Sequence, residues 1–371
     1  MNKANVQKQA QIWANYLPYV TPYYAVKSNN DQQLLRWITE VFEPHGIKAG
    51  FDCASITEME QVRKVSKKVP IIYAQPCKTD TDLNESRRHG IRTTVVDSPE
   101  EMQKLRATSW KGDTLIRLAV PDNKSKQPFS KKFGAPIQWV PQIFELAQAY
   151  KIPIRGLSFH VGSECENPDQ FAKALQMCRL VFDIAAESDI HNMDVIDIGG
   201  GFLPTNQNLA SIASSIESAR TKLFPNNLSP SNKPIEWIAE PGRFLSATSQ
   251  TLYTPIIGRK RAMPSTEPDA LEYRYTVHES IYGYFSNIPF DSQKPEFNVV
   301  YQKTQPLFPN RIHRSIIFGR TCDGADVINP LINLPLLKEG DWLEIDNMGA
   351  YTSVTASEFN GFPKPDMICL E

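Results

Sequence analysis

Short apolar runs alternate with polar, helix-compatible stretches along the first two thirds of the chain. β-Branched and aromatic residues crowd Tyr23–Val26, Phe51–Ala54, Ile71–Ala74, Thr93–Val96, Leu115–Ala119, Leu157–His160, Val195–Ile198 and Ile235–Ala239. A polar or Gly/Pro-containing turn follows each run, and runs of this length and composition predict buried strands. Residues 5–17 read as a helix, so that 1–16 form a leading segment ahead of the first strand. Asn167-Pro168-Asp169 opens another helix, with a capping residue and a proline in its first turn, and its apolar positions continue through Phe182. Eight such strands alternating with helices over about 240 residues predict a (β/α)8 barrel. A two-layered Rossmann-like domain is the alternative, but Gly199-Gly200-Gly201 lacks the spacing of a dinucleotide fingerprint.

Past residue 247 the helical periodicity fades. Thr251–Arg259, Tyr273–His278, Asn298–Gln302, Ser315–Gly319, Trp342–Asp346 and Met367–Leu370 read as strands, joined by Pro-containing loops such as 262–269 and 306–309. The expected division is a barrel over 1–247 and a mainly antiparallel C-terminal β domain over 248–371. Two domains also suit a chain of 371 residues.

Composition narrows the function classes. The net charge of −1 gives no general pull toward nucleic acid or an anionic membrane. No run approaches the roughly 20 apolar residues of a membrane span, and the polar start Met1–Lys8 lacks the apolar core of a signal peptide. The six cysteines are scattered without metal-ligand spacing, so no metal site is expected, and reduced thiols in a cytoplasm are the default.

In a (β/α)8 barrel, function sits on the loops after the strands' carboxyl ends. Those positions carry Lys27, Asp52, Arg117, His160, Gly199–Gly201 and Glu240-Pro241-Gly242-Arg243. Lys27 follows a buried run, where burial would lower its pKa and suit it to Schiff-base chemistry; alone, it reads more readily as a lysine snorkelling into water. The glycines let backbone N–H groups approach an anion, and Arg243 on the neighbouring turn adds charge-assisted hydrogen bonds. Alone, the glycines read as a tight turn, His160 as a core histidine and Glu240 as a solvated carboxylate. As a set they suggest pyridoxal phosphate, with Glu240 at its ring nitrogen and His160 on its ring face.

These motifs resemble the fold-type III pyridoxal-phosphate decarboxylases of basic amino acids, the eukaryotic-type ornithine decarboxylase group. The resemblance runs from about Leu17 to Phe362, through Tyr24–Lys27, Phe51–Ser55, Lys132–Ala135, Ser158–Ser163, Asp197–Phe202, Ala239–Arg243, Cys322–Gly324 and Asn347–Thr352. It implies that Lys27 is the Schiff-base lysine and that Ser163, Gly199, Gly200, Gly201, Gly242, Arg243 and Tyr351 surround the phosphate. It further implies that Asp52, Glu58 and Arg117 line the pocket. Asp291, Asp323, Tyr282 and Phe359 are the implied substrate residues, with the two aspartates facing a terminal ammonium. Cys322, as participant in protonation at Cα, and Asp323 are expected from the second subunit of a homodimer.

Relatives acting on arginine carry Glu at the position of Asp291, so the resemblance favours L-ornithine, converted to putrescine and CO2 in polyamine biosynthesis. Lysine is the alternative, and diaminopimelate or a siderophore or carboxy-polyamine intermediate stands behind it. Diaminopimelate would want a distal cation, and alanine racemase, which shares the barrel, a basic partner at the ring nitrogen. Homologues that serve as non-catalytic regulators typically lose residues that are present here. Three departures stand out. The chain starts about twenty residues later than its relatives, which leaves an edge of the β domain in question. Glu164 replaces the usual small residue after Ser163, and Ser28 replaces a common cysteine after the lysine.

Overall fold

The computed structural model describes residues 1–123, 125–261, 273–301 and 312–371. Two compact units emerge, Lys3–Leu245 and, separately, Met1–Asn2 with Ser246–Glu371.

Eight strands close the first unit into a parallel barrel: β1 (Val20–Ala25), β2 (Gly50–Cys53), β3 (Ile71–Tyr73), β4 (Thr93–Val96), β5 (Asp113–Leu118), β6 (Ile154–Phe159), β7 (Val195–Asp197) and β8 (Glu236–Ala239). Each pairs with the next and β8 returns to β1, with Val20 beside Trp237 and Tyr24 beside Phe51. Ile72, Val95, Leu115, Val195 and Ile238 fill the interior. Helices start where side chains can satisfy their first N–H groups. Asp31 accepts from the amides of Gln33 and Leu34, Ser55 from Glu58 and Ser98 from Glu101, while Thr79 and Asp82 form a capping box. The leading helix, Lys3–Tyr16, buries Trp13, whose indole donates to the Val20 carbonyl at 3.0 Å and packs edge-on against Phe202.

Predicted and observed strands overlap throughout the barrel, but β1 begins earlier and stops at Ala25, and residues Val26–Ser28 form a 3₁₀ turn. A pair of short strands also escaped the pattern. Ser125–Gln127 and Ser163–Cys165 pair antiparallel as a separate two-stranded sheet. Three residues of mixed polarity are too few to show a period. The helix expected at Asn167–Phe182 runs Asp169–Glu187, and Asn167 Oδ1 accepts from the Asp169 amide just outside it.

The second unit is a six-stranded sheet of β9 (Leu252–Arg261), β10 (Tyr273–Val277), β11 (Asn298–Val300), β12 (Ile312–Phe318), β13 (Val327–Pro335) and β14 (Trp342–Ile345). Their order is β11-β14-β9-β10-β12-β13, antiparallel except for the parallel pair β10–β12. Its core gathers Ile256, Tyr275, Phe285, Ile317, Leu343 and Ile345. β13 lay outside the sequence expectation because Pro330 and Pro335 interrupt its run. The strand expected at Met367–Leu370 is instead a single bridge, Asn2 to Leu370. Met1 and Asn2 belong to this sheet unit. The Met1 amine donates to Ile368 O at 2.6 Å and the Asn2 amide to Ser249 O at 2.8 Å. The loops expected at 262–269 and 306–309, and the end of the strand expected at Gln302, lie outside the described residues.

Close approach of β6 and β7 makes a size-sensitive point. A Cβ on Gly156 would run into the Val195 carbonyl oxygen. Gly156→Ala is therefore expected to destabilise the barrel by about 1–3 kcal/mol, read as a lower denaturation midpoint with the β-sheet unit unaffected.

Candidate active site

At the carboxyl ends of the barrel strands the chain gathers cations and carboxylates. Lys27 lies in the 3₁₀ turn after β1, and that turn is pinned by its neighbours: Ser28 Oγ donates to Ala25 O at 2.8 Å and Tyr24 Oη to Asn29 O at 2.8 Å. Ser28 thus takes the common cysteine's place as a buried hydrogen-bonding residue. The burial expected for Lys27 is not what the structure has. The turn lifts its side chain to 44% exposure, with Nζ 3.6 Å from Asp52 Oδ2. Its partner, at the end of β2, is buried. An ion pair with a buried carboxylate, and not an apolar pocket, is what surrounds this amine.

Asp52 shares the rim with Asp197, the last residue of β7, and Glu240, which follows β8. Burial raises the proton affinity of all three. Lys27 and then Arg117 oppose the rise at Asp52, while Asp197 and then Asp52 add to it at Glu240. Asp197 is pushed up to about 6, chiefly by burial, against the pull of the Gly199 amide. Its Oδ1 accepts from that amide at 2.9 Å, whereas Oδ2 is buried with no donor among the described residues unless Glu240 carries a proton. A carboxylic acid beside a carboxylate, sharing one proton, satisfies both groups. Glu58 is raised too, mainly by burial, although its carboxylate accepts from the Ala54 amide at 2.6 Å.

His160 follows β6. Its Nδ1 accepts from the Gly162 amide at 3.0 Å, which leaves the proton on Nε2. Burial first, then Arg117 and Lys27, hold its pKa well below the usual 6.5, so the ring is neutral. Phe129 meets it edge-on with centroids 4.8 Å apart, and Arg117 lies over the Phe133 ring at 5.1 Å.

Behind the histidine runs the glycine turn. Gly199 and Gly201 have φ of +65° and +102°, and a Cβ on Gly200 would stand 2.8 Å from Glu240 O and 2.9 Å from His160 Nε2. Only glycines fit here, and they leave a cradle of bare backbone. The Glu240 amide donates to Gly199 O at 2.7 Å, tying the turn to the carboxylate. Beside the cradle, Arg243 Nη2 donates to Ser163 Oγ at 3.3 Å. Gly242, next to it, lies close against Ala25 and Ser28, where a Cβ would come within 3.0 Å of Ala25 Cβ.

Glu164, the residue that departs from its relatives, does not point away. Its carboxylate binds Lys126 Nζ and lies 3.5 Å from Arg243 Nε.

The remaining expected residues lie in the second unit, and three of them form a cluster there. Tyr282 donates its hydroxyl to Asp323, and its ring lies 4.3 Å from that of Phe359. Cys322 is exposed next to them, with its amide and Sγ 3.4 and 3.5 Å from Asn360 Oδ1. The Ala325 amide and then the Tyr282 hydroxyl hold the Asp323 carboxyl below the usual aspartate range. Buried Asp326 braces the cluster, accepting from the amides of Ile281 at 3.0 Å and Thr321 at 3.1 Å and from the Thr321 hydroxyl at 2.6 Å. Asp291 is buried at the end of the short helix Asn287–Asp291, and Tyr351 has a left-handed backbone with φ of +53°. The strand-end reading passed over Asp197, Phe129, Lys126 and Asp326. Only Asp197, a carboxylate two residues before the first glycine of the triple, had a visible signal.

The barrel residues suit pyridoxal phosphate on their chemistry. The glycine cradle, Ser163 and Arg243 offer an anion site, and Lys27 is a primary amine within reach of solvent. The Asp197 oxygen without a second donor, next to an acid that holds its proton this high, suits a basic ring nitrogen.

A profile of the family described as "Pyridoxal-dependent decarboxylase, pyridoxal binding domain" matches residues 3–247. Ornithine decarboxylase of Mus musculus is 35% identical over 376 residues, which cover 98% of this chain and 78% of that protein. Antizyme inhibitor 2 of Xenopus laevis is 35% identical over 355 residues, 93% and 75% of the two chains. Among solved structures, the Paramecium bursaria Chlorella virus arginine decarboxylase bound to agmatine superposes with a TM-score of 0.88 at 31% identity, covering 100% of this chain and 95% of its own.

His160 makes a pH signature. Below pH 6.5 an unfolded histidine takes up a proton that the native ring refuses, so the histidine's contribution to stability falls as pH drops and recovers as pH rises to 6.5. In cofactor-free protein, the stability of the parent relative to His160→Phe should therefore increase from pH 5 to 6.5 and level off above, measured by denaturant titration at each pH.

Proposed function

The chain belongs to the fold-type III pyridoxal-dependent decarboxylases, carboxy-lyases that use pyridoxal phosphate, and on that footing we propose that it decarboxylates L-ornithine to putrescine. The observation that carries this is the convergence of Lys27, Asp52, Glu240, Ser163 and Arg243 around one glycine cradle at the barrel mouth. Bound pyridoxal phosphate supplies an electron sink for the pair released when CO2 leaves. The chain's own residues do the rest. Lys27 Nζ is the amine that holds the cofactor's aldehyde carbon, with Asp52 and Arg117 lining the pocket around it. Gly199–Gly201, Gly242, Ser163 and Arg243 would hold the phosphate. Glu240 would hold the proton shared with the ring nitrogen, and the neutral ring of His160 would cover a cofactor face.

Substrate choice rests on Asp291 and Asp323. Asp323 stays ionised because the Ala325 amide and Tyr282 stabilise its charge, which suits a terminal ammonium. Tyr282 and Phe359 flank it as an aromatic wall. An aspartate at 291 leaves space for a compact ammonium, where a longer glutamate goes with the guanidinium of arginine. Lysine is the nearest competitor, one methylene longer, a difference a pocket weighs at about 1–3 kcal/mol. Cys322 donates the proton to Cα after CO2 departs. Because Cys322, Asp323, Tyr282 and Phe359 gather on an exposed part of the second unit, we assign Cys322 and Asp323 to the site of a second copy, in a homodimer with two shared sites. All six cysteines are free, in keeping with work in a reducing cytoplasm, and no described helix is long and apolar enough to cross a membrane.

Purified protein should absorb near the visible edge, and borohydride should abolish that band in the parent and find none in Lys27→Ala. A colourless chain that cannot be reconstituted would point to a regulatory protein instead. CO2 release from ornithine, lysine, arginine and diaminopimelate, measured in parallel, should rank ornithine first; a lead for diaminopimelate would remove the carboxylate argument. Cys322→Ala should lower kcat by roughly 10²–10⁴-fold. Mixing it with Lys27→Ala should restore activity that neither has alone, and inactive mixtures would speak against shared sites. Asp291→Glu should move the ornithine-to-arginine ratio of kcat/KM toward arginine by about tenfold or more, and an unchanged ratio would take Asp291 out of the specificity account.

A further inference from the structure

The two-stranded sheet of Ser125–Gln127 and Ser163–Cys165 poses an electrostatic problem of its own. Ser125 pairs with Cys165 and Gln127 with Ser163, so Lys126 and Glu164 stand opposite each other between those pairs. Glu164 has a left-handed backbone with φ of +52°, and its side chain is only 4% exposed. One carboxylate oxygen binds Lys126 Nζ; the other lies 3.5 Å from Arg243 Nε. Arg243 in turn donates to Ser163 Oγ. A buried carboxylate in this position, left to itself, cancels the arginine's charge and repels an arriving phosphate dianion. With Lys126 included, two cations share one carboxylate, and a net positive charge is left for the ligand.

We propose that Lys126 is a cofactor-affinity residue of this chain. From across the two-stranded sheet it neutralises Glu164, and so leaves the charge of Arg243 for the phosphate. Glu164 is thereby a positioning residue, holding Arg243 at Nε while the neighbouring Nη2 faces Ser163. This rests on the proposed phosphate role of Ser163 and Arg243.

The test compares pyridoxal phosphate with pyridoxal, which lacks the phosphate, by titrating each into the cofactor-stripped full chain and following the absorbance of the bound ring. Lys126→Met should weaken pyridoxal phosphate by about tenfold or more and leave pyridoxal unchanged. The double variant Lys126→Met/Glu164→Gln should return pyridoxal phosphate to near the parent affinity, because the uncompensated carboxylate is gone. Lys126 is 46% exposed, so its replacement by methionine spares the core. The proposal is overturned if Lys126→Met binds pyridoxal phosphate like the parent, or weakens both ligands alike. It is also overturned if the double variant is as weak as the single one. A parent chain that binds pyridoxal but gains nothing from the phosphate overturns the phosphate roles of Ser163 and Arg243 as well. A parent that binds neither ring removes the cofactor site itself.

Discussion

Too many carboxylates share the mouth of this barrel to be ionised together, and that constraint governs much of the site around them. Asp52, Asp197 and Glu240 come from β2, from β7 and from the turn after β8, and closure of a parallel barrel brings those ends to a single rim. There, burial raises each one's hold on a proton, and carboxylate repulsion adds to it at Asp197 and Glu240. Arg117 pulls the other way at all three, and Lys27 at Asp52 and Glu240. The balance is reached with fewer charges than groups. The same atoms organise the backbone, since Asp197 fixes the Gly199 amide and the Gly199 carbonyl fixes the Glu240 amide. A chain of two hydrogen bonds thus ties a shared proton to the cradle for an anion. On the proposed reading, one strand-to-turn junction would serve both ends of pyridoxal phosphate.

His160 follows from this arrangement. An imidazolium would add a cation next to Lys27 and Arg117 in a site that desolvates it, so the ring stays neutral. The Gly162 amide then decides which nitrogen keeps the proton. A neutral, edge-anchored ring is a flat surface and not a competitor for the carboxylates.

Much of this could be read along the chain. Strands buried on both faces appear as continuous apolar runs, so the carboxyl end of each run can be located without a structure, and Lys27, Asp52, His160 and Glu240 lie at or near such ends. What the pattern could not carry was context. Lys27 follows an apolar run, which suggests burial, yet a 3₁₀ turn lifts it beside Asp52. Asp197 ends its own run as a β7 residue, and a carboxylate inside a strand is easily counted as part of the strand. Phe129 and Lys126 belong to a segment without period, and their roles come from what folds against them. Asp326 is the same case in the β-sheet unit. Two residues past the recognisable Cys-Asp-Gly, it is the buried group that joins the Thr321 turn to Ile281, and so sets Tyr282 against Asp323.

Glu164 shows what such a site conserves when its residues change. At φ of +52° a glycine is at home, and any other side chain costs about 1 kcal/mol or more of backbone strain. The side chain found there is also of the wrong sign for a phosphate. The charge penalty is met locally, because the two-stranded sheet sets Lys126 opposite and the barrel sets Arg243 alongside. What reaches the cradle is the sum of these charges, two positive and one negative. That sum matches a small residue at 164 with Arg243 alone. On the proposed reading, the requirement at the phosphate end is therefore on net charge and on where Arg243 Nη2 points, and more than one set of side chains can meet it. A motif read residue by residue registers Glu164 as a flaw; read as an electrostatic sum over the residues in contact, it is balanced.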